Sequence, residues 1–531
     1  MRVDEAVLRI LADEGVDRVF GNPGTTELSF VDALVADGTL PYVLAVHEGP
    51  LVAMADGYAR GTGRPAFVNL HVAAGTANGL IGLLNASRSR TPLVVLAGQQ
   101  DSRHLIDDPM LSADLVALAQ GATTWAVEAR RPEEVPALLR RAFRAAQQPP
   151  RGPVLVSVPM DFLETGTVEQ VPRRSDLGSV ATTGDVAAAA ELLRSASSPA
   201  VVAGDGIGRG DAVAEATRVA HLLGAVVYHA PMNDRLDFPM DDPAYHGMLA
   251  PENAAIRSML ERHDVVLLAG VRAFVPHHYS PTPAVGPSTR LIQFDEEPAQ
   301  IGYTYPVEVG VQGDLRRTLA ALAEELATAV PHAVAPWSRP AVPDDERMPL
   351  EPRVAASTVA RHLPPDALVV EEAITAGLLL REHLLLREPG SFHHTVGGGL
   401  GWGAGAAIGL SLARPGRPVV ALLGDGCALF GLQALWTAAR EQVPVTFLVF
   451  ANGEYRTLKQ TLTRMRGGRA EPFLGMDLGQ PAVDWPQLAA SLGVEGVRVR
   501  SVSHLAELLH AAGSRPGPQL VEIPIRPFAD A

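Results

Sequence analysis

The chain is short of several things, and each shortage excludes a class of protein. It has one cysteine, Cys427, in 531 residues. That rules out an intrachain disulfide and a cysteine-based zinc site, and it fits a reducing compartment. Aromatic residues make up 5% and charged residues 19%, with no basic block anywhere. Lys+Arg 44 against Asp+Glu 59 leaves a net charge of −15, which argues against nucleic acid or an anionic membrane as the main partner. No apolar run reaches the ~20 residues that span a bilayer; the stretch 396–413 is broken by glycines and ends at Arg414-Pro415. The start, MRVDEAVLRILADEGVD, sets acids within an apolar period. This predicts an amphipathic helix and not an export signal, so a cytoplasmic protein is expected.

Hydrophobic residues are plentiful, at 47%, and at ~150 residues per domain the length suggests three or four domains. Apolar runs bounded by Gly or Pro recur at 66–70, 93–97 and 154–158, then at 200–203, 265–269 and 291–294, then at 367–370, 419–423, 445–450 and 520–523. Helical stretches separate them. Strands buried on both faces read as continuous apolar runs, and helices supply the crossovers between parallel strands. The expected fold is therefore α/β, with parallel sheets flanked by helices. Two stretches rich in Pro, Gly, Ser or Thr, 165–184 and 330–352, read as linkers. They divide the chain into 1–180, 181–340 and 341–531.

The most informative segment is 419–458, VVALLGDGCALFGLQALWTAAREQVPVTFLVFANGEYRTL. It reads as strand, turn, helix, strand, turn. Gly424-Asp425-Gly426 falls at the carboxyl end of the first strand, where open parallel sheets bind ligands and glycine lets backbone approach a phosphate. Alone, Gly-Asp-Gly is more often just a tight turn. The second turn, Asn452-Gly453-Glu454, brings an amide oxygen and main-chain carbonyls beside Asp425. One carboxylate, one amide oxygen and one carbonyl, completed by diphosphate oxygens, suit Mg²⁺.

This segment resembles the diphosphate-anchoring signature of thiamine diphosphate enzymes, which runs from Gly-Asp-Gly to Asn-Asn. Ala451 stands where the first Asn is usual, while Asn452 keeps the ligand position. Near the start, FGNPGTTELSF at 20–30, AVHEG at 45–49 and FVNLHVAAGTANG at 67–79 resemble the pyrimidine-binding domain of the same enzymes. The wording is closest to the benzoylformate decarboxylases. The resemblance spans all three parts in order, and so implies pyrimidine-binding, middle and diphosphate-binding domains. It further implies thiamine diphosphate and Mg²⁺ as cofactors and a homodimer or homotetramer with active sites at the subunit interface. The implied activity is non-oxidative decarboxylation of a 2-oxo acid to an aldehyde.

The resemblance carries over residue by residue. Glu48 would hydrogen-bond the aminopyrimidine ring; on position alone it is a helix-start acid. His71 and His277, the latter beside His278 in VRAFVPHHYSP, would move protons, which imidazoles do near neutral pH. Thr25 would supply a hydroxyl to the substrate, with Thr26 competing. Gly398 and Leu400 in TVGGGLGWGAG would hold the cofactor bent. Thr375, Gly424, Gly426, Cys427 and Tyr455 join the cofactor set, and Asp425, Asn452 and Glu454 the metal set. His394, Leu458 and Thr461 fall at substrate-pocket positions. The polar atoms of His394 and Thr461 suit a bare phenyl group poorly, because buried polar atoms need partners, and favour a more polar or smaller 2-oxo acid.

In the middle segment, AVVAGDGIGRG at 200–210 does not fit G-x-G-x-x-G. RLIQFDEEPAQIGYTY at 290–305 resembles acetohydroxyacid synthases, whose middle domain carries FAD. Related decarboxylases keep this fold without flavin, and FAD is not expected here. A carboligase is the nearest rival activity. A non-catalytic thiamine-fold protein is the rival of another class, with Ala451 in its favour.

Overall fold

The computed structural model describes all residues except 177, 179, 277, 278, 470, 471 and 529–531. Three parallel sheets of six strands each follow one another along the chain. The first contains β1 Val19–Gly21, β2 Tyr42–Leu44, β3 Ala66–Leu70, β4 Leu93–Gln99, β5 Trp125–Glu128 and β6 Pro153–Pro159, in the order β2-β1-β3-β4-β6-β5. The second contains β7 Pro199–Ala203, β8 Val226–His229, β9 Tyr245–Met248, β10 Val265–Ala269, β11 Arg290–Asp295 and β12 Val309–Gln312, in the order β12-β11-β10-β7-β8-β9. The third contains β13 Leu368–Glu372, β14 Phe392–His394, β15 Val419–Gly424, β16 Val445–Ala451, β17 Glu495–Arg498 and β18 Gln519–Pro524, in the order β14-β13-β15-β16-β18-β17.

The central strands are apolar on both faces because both faces are covered. In the first sheet Phe67, Val94 and Val156 pack into one core with Ile10, Phe30 and Phe143. Their neighbours Val68, Val95 and Leu155 point the other way, into a core with Phe20, Leu51 and Trp402. That alternation is the two-residue period of a strand. Edge strands are less apolar: β5 is half-buried throughout and β17 is exposed at both ends. The expected N-terminal helix spans Val3–Asp13. Among the described residues, no helix is long and apolar enough to cross a membrane.

By compactness the chain forms two units: 1–177 with 344–377 and 395–531, and 178–343 with 378–394. In the first unit, the helices Glu48–Thr62 and Trp402–Ala413 meet backbone to backbone. A Cβ added at Gly57 would lie 2.1 Å from the Ala406 carbonyl oxygen, and one at Gly409 1.8 Å from that of Met54. Polar groups at this seam are satisfied. Trp402 Nε1 donates to Asp56 Oδ2 (2.6 Å), and Arg60 pairs with Asp56 Oδ1 (2.7 Å).

In the second unit, Gly204-Asp205-Gly206 follows β7. Asp205 accepts from Arg209 (2.8 Å) and Arg272 (3.2 Å), and Arg209 also pairs with Asp234 (3.0 Å). Added Cβ atoms at Gly204 and Gly206 would lie 2.0 and 2.7 Å from Gly270 backbone atoms. These glycines are used for close approach of one backbone to another.

Candidate active site

The carboxyl edge of the first sheet gathers three acidic and basic side chains. Glu48 opens its helix, and the preceding His47 caps that helix by accepting the Gly49 N–H at Nδ1 (3.1 Å). Glu48 is 6% exposed. Its Oε1 accepts from Asn22 Nδ2 (2.9 Å) and its Oε2 from Asn78 Nδ2 (3.1 Å), so two neutral amides fix the carboxylate without cancelling its charge. His71 follows β3 and precedes the helix Val72–Arg88. Its Nδ1 lies 3.0 Å from Glu27 Oε2 and 3.1 Å from Thr26 Oγ1.

The hydrogen bond that His71 donates to Glu27 raises the His71 pKa; burial opposes this, and the charges of Glu27 and Glu48 add to the rise. Glycines make the packing possible. A Cβ at Gly24 would fall within the His71 ring, 2.1 Å from Nδ1, and one at Gly98 would lie 1.8 Å from Glu27 Oε1. At Gly75 it would lie 3.4 Å from both Glu48 Oε1 and His71 Cβ, so Glu48 and His71 flank one glycine. Val72, β-branched and directly after His71, has φ +38. Such a conformation costs of order 1–3 kcal/mol and persists only where its surroundings enforce it.

The Thr25 side chain is exposed, and Thr26 takes the buried place against His71. Asn22, Glu27 and Asn78 were not singled out from the sequence. Asn22 and Glu27 lie inside the GNPGTTE motif, which is the signal that could have found them. His277, with His278, lies outside the described residues.

At the edge of the third sheet, β15 ends at Gly424 and Asp425 begins the helix Asp425–Gly431. Asp425 Oδ1 accepts the Gly426 N–H (2.8 Å), and Oδ2 accepts those of Asn452 (3.0 Å) and Gly453 (2.7 Å). Burial raises its carboxyl, these amides pull it back, and the charge of Glu454 pushes it up again. Asn452 Oδ1 accepts the Glu454 N–H (3.1 Å). The left-handed turn at Gly453, φ +68, allows this hairpin of donors. A Cβ at Gly426 would lie 2.7 Å from the Tyr455 ring. The structure thus brings together Gly424, Asp425, Gly426, Asn452, Glu454 and Tyr455.

A buried carboxylate and an amide oxygen held on one pair of turns are the hard donors that Mg²⁺ takes, so these residues fit the ion. Ala451 ends β16, and its carbonyl accepts from Ile525. Cys427 is buried, and its thiol is pushed up by burial and by Glu372, Glu371 and Asp425. Thr375 is half-buried in the helix Ile374–His383.

The turn that carries Gly398 and Leu400 is held from two sides. Asn85, 314 residues away in sequence, donates to the Gly399 carbonyl (2.9 Å) and accepts the Gly399 N–H (3.0 Å). Glu372 accepts the amides of Trp402 (3.1 Å) and Gly403 (2.8 Å); burial pushes its carboxyl up to about 8. Gly398, φ +77, has no atom within 4 Å of an added Cβ. Leu400 lines a cleft of about 420 Å³ together with His47, Pro50, Ile81, Trp402 and Phe430. Leu458 and Thr461 lie three residues apart on the helix Arg456–Met465, with Leu458 half exposed. His394 ends β14, in the other compact unit.

Comparisons with known proteins identify the family. The chain matches the thiamine pyrophosphate enzyme models for the N-terminal TPP binding domain over residues 1–118, the central domain over 186–322 and the C-terminal TPP binding domain over 376–523. It belongs to the thiamine pyrophosphate enzymes, a family of α/β enzymes named for the cofactor also called thiamine diphosphate. It is 33% identical to a benzoylformate decarboxylase of Pseudomonas aeruginosa, over 98% of each chain. It is 26% identical to an acetolactate synthase large subunit of Haemophilus influenzae, over 96% of this chain and 92% of that one. Among solved structures, a thiamine diphosphate-dependent 4-hydroxybenzoylformate decarboxylase of Rhodococcus jostii RHA1 superposes with TM-score 0.92 at 31% identity, covering 99% of both chains.

Proposed function

We propose that this chain is a thiamine diphosphate- and Mg²⁺-dependent lyase that decarboxylates a 2-oxo acid, benzoylformate-like or a more polar analogue, to an aldehyde. The observation that carries this is the buried Glu48 carboxylate, fixed by Asn22 and Asn78 and set beside His71. The full-length likeness to proteins named as decarboxylases supports it. Asp425, Asn452 and the Glu454 main chain would hold Mg²⁺, Gly424, Gly426, Thr375, Cys427 and Tyr455 would line the diphosphate site, and Gly398 and Leu400 would hold the ring pair.

The bound cofactor supplies an electron sink for the charge left when CO₂ departs. The chain's own groups handle the protons. Glu48 would present a fixed carboxylate as a hydrogen-bond acceptor to the aminopyrimidine ring. His71, with Glu27 behind it, would hold its proton to higher pH than an ordinary imidazole. His277 is proposed as a second acid–base group. Thr25 or the buried Thr26 would offer a hydroxyl, and His394, Leu458 and Thr461 are proposed for substrate selection.

The reading carries no flavin. Its support is that Gly204 and Gly206 close on the Gly270 backbone and that two arginines occupy Asp205. The domains are taken as 1–180, 181–340 and 341–531. A cytoplasmic homodimer or homotetramer completes the proposal, and a sedimentation run that finds an active monomer removes that part of it.

The test is a screen of aromatic and smaller 2-oxo acids with thiamine diphosphate and Mg²⁺, with products analysed with and without an added aldehyde. Aldehyde release with CO₂ is expected, together with a loss of at least ~10²-fold in Glu48→Gln. A hydroxyketone as the main product would favour the carboligase reading, which the acetolactate synthase relative supports. Turnover unchanged in Glu48→Gln, or no product from any acid, would favour the non-catalytic reading.

A further inference from the structure

The chain has 43 arginines and a single lysine, Lys459. It lies on the helix that starts directly after the Asn452-Gly453-Glu454 turn, and it is 8% exposed. Its ammonium donates to Glu454 Oε2 (2.6 Å) and to Asp477, and it sits 5.3 Å from the Phe473 ring centroid. Around this pair three separate stretches of chain meet. Tyr455 N–H donates to Met476 O (2.8 Å) and Leu478 N–H to Gly453 O (2.6 Å). The second oxygen of Glu454 accepts the Phe528 N–H (2.5 Å).

The Glu454 side chain is an electrostatic problem for the turn that bears it. It is 6% exposed and adds a negative charge close to Asp425, where a diphosphate would have to be accommodated. Unpaired, such a carboxylate would be costly to bury and would repel an anionic ligand in a low-dielectric site. A lysine supplies one compact charge with three donors on a flexible stem, enough to reach Glu454 and Asp477 together.

We propose that Lys459 is a positioning residue for the diphosphate turn: held in place by Asp477, it pairs with Glu454, offsets the Glu454 charge and sets the affinity of the Asp425/Asn452 site for a metal-bound diphosphate. This rests on the proposed function for the identity of the ligand, and on the Lys459–Glu454–Asp477 geometry for the role.

A double-mutant cycle on the full chain tests it, with Mg²⁺-thiamine diphosphate affinity read by calorimetry. Lys459→Met should weaken binding at least ~10-fold, and Lys459→Arg should stay within ~3-fold of wild type. Glu454→Gln leaves the main-chain carbonyl in place. In that background Lys459→Met should cost less than ~3-fold, because the charge it offset is gone. An equal loss in both backgrounds, or no loss in either, overturns the proposal.

A second readout needs no cofactor. The chain offers an acylating reagent only its α-amino group and Lys459. Intact-mass spectrometry of ligand-free wild type should therefore show one fast and one slow addition, and Glu454→Gln should accelerate the slow one. If wild type binds no thiamine diphosphate, the proposed function fails while the acylation result still decides whether Glu454 holds the lysine. Equal rates in wild type and Glu454→Gln would sink that pairing.

Discussion

Two turns in this molecule have the same three residues in the same place in a sheet. Gly204-Asp205-Gly206 follows β7, and Gly424-Asp425-Gly426 follows β15. Their surroundings oppose each other. Asp205 is held by two guanidinium groups and its carboxyl is driven well below the usual range. The hydrogen-bond donors to Asp425 among the described residues are main-chain amides, and its carboxyl is raised. Gly204 has backbone 2.0 Å from its would-be Cβ, whereas the nearest atom to that of Gly424 is 3.7 Å away. The difference lies in the first glycine and in the partners of the aspartate: Gly424 is open where Gly204 is closed, and Asp425 takes main-chain amides where Asp205 takes guanidinium groups. The first turn is part of a core; the second fits the proposed cation and diphosphate.

The comparison breaks if the same substitution acts alike at both turns. Asp205→Asn leaves Arg209 and Arg272 without their shared buried partner, and should destabilise the unit built on the second sheet by about 3–5 kcal/mol in thermal or denaturant unfolding. It should leave thiamine diphosphate affinity of the folded protein within a few-fold of wild type. The sign with pH follows from the depressed carboxyl. The Asp205 contribution is present above its unfolded value near 3.8 and is lost only as pH falls through the lower folded value. Asp425→Asn should do the reverse. Outer-shell partners of a metal ligand already account for 10–100-fold in affinity, so, with Asp425 as the proposed ligand, its loss should weaken Mg²⁺-dependent binding by at least ~100-fold, with no fall in unfolding temperature.

Glycine substitutions sharpen the same contrast at smaller scale. Gly204→Ala drives a methyl into the Gly270 carbonyl, and overpacking of this kind costs about 1–3 kcal/mol. Gly424→Ala makes only ordinary van der Waals contacts in the chain itself, the nearest being Cys427 Sγ at 3.7 Å, so its unfolding should match wild type within about 0.5 kcal/mol. Its effect should appear only as reduced diphosphate affinity. A loss of stability at Gly424→Ala equal to that at Gly204→Ala would erase the distinction.

The contrast was only half legible in the sequence. The central strands were, because burial on both faces leaves an uninterrupted apolar run; 66–70 and 265–269 coincide with β3 and β10. Where an end was misread, polar residues had been paired by the fold. The run at 367–370 continues through Glu371 and Glu372, whose carboxylates bond to amides at Ala373, Trp402 and Gly403. The Asp425 and Asn452 pair was legible from spacing because one strand-helix-strand unit sets it. The residues that support the site were not. Glu27 reaches His71 across 44 residues and Asn85 reaches Gly399 across 314. No local pattern marks such pairs, and Lys459 reads as an ordinary surface helix residue until Asp477 is folded against it.

The smallest effect concerns the other edge, where charge is also left in play but by a different device. His71 draws its raised pKa first from the Glu27 hydrogen bond. Glu27→Gln keeps the shape and a hydrogen-bonding group while removing the charge. The His71 midpoint, followed by NMR of its imidazole, should therefore fall toward or below the ordinary value of about 6.5. A raised imidazole contributes stability that is fully present below its unfolded pKa and is lost as pH rises through the folded one, so wild type should lose its margin over Glu27→Gln as pH climbs past neutrality. Decarboxylase turnover in the variant should begin to decline at lower pH, since the proton on His71 leaves earlier. If the midpoint stays where it was, Glu27 does not set the protonation of His71, and the charge of Glu48 across Gly75 becomes the group to change next.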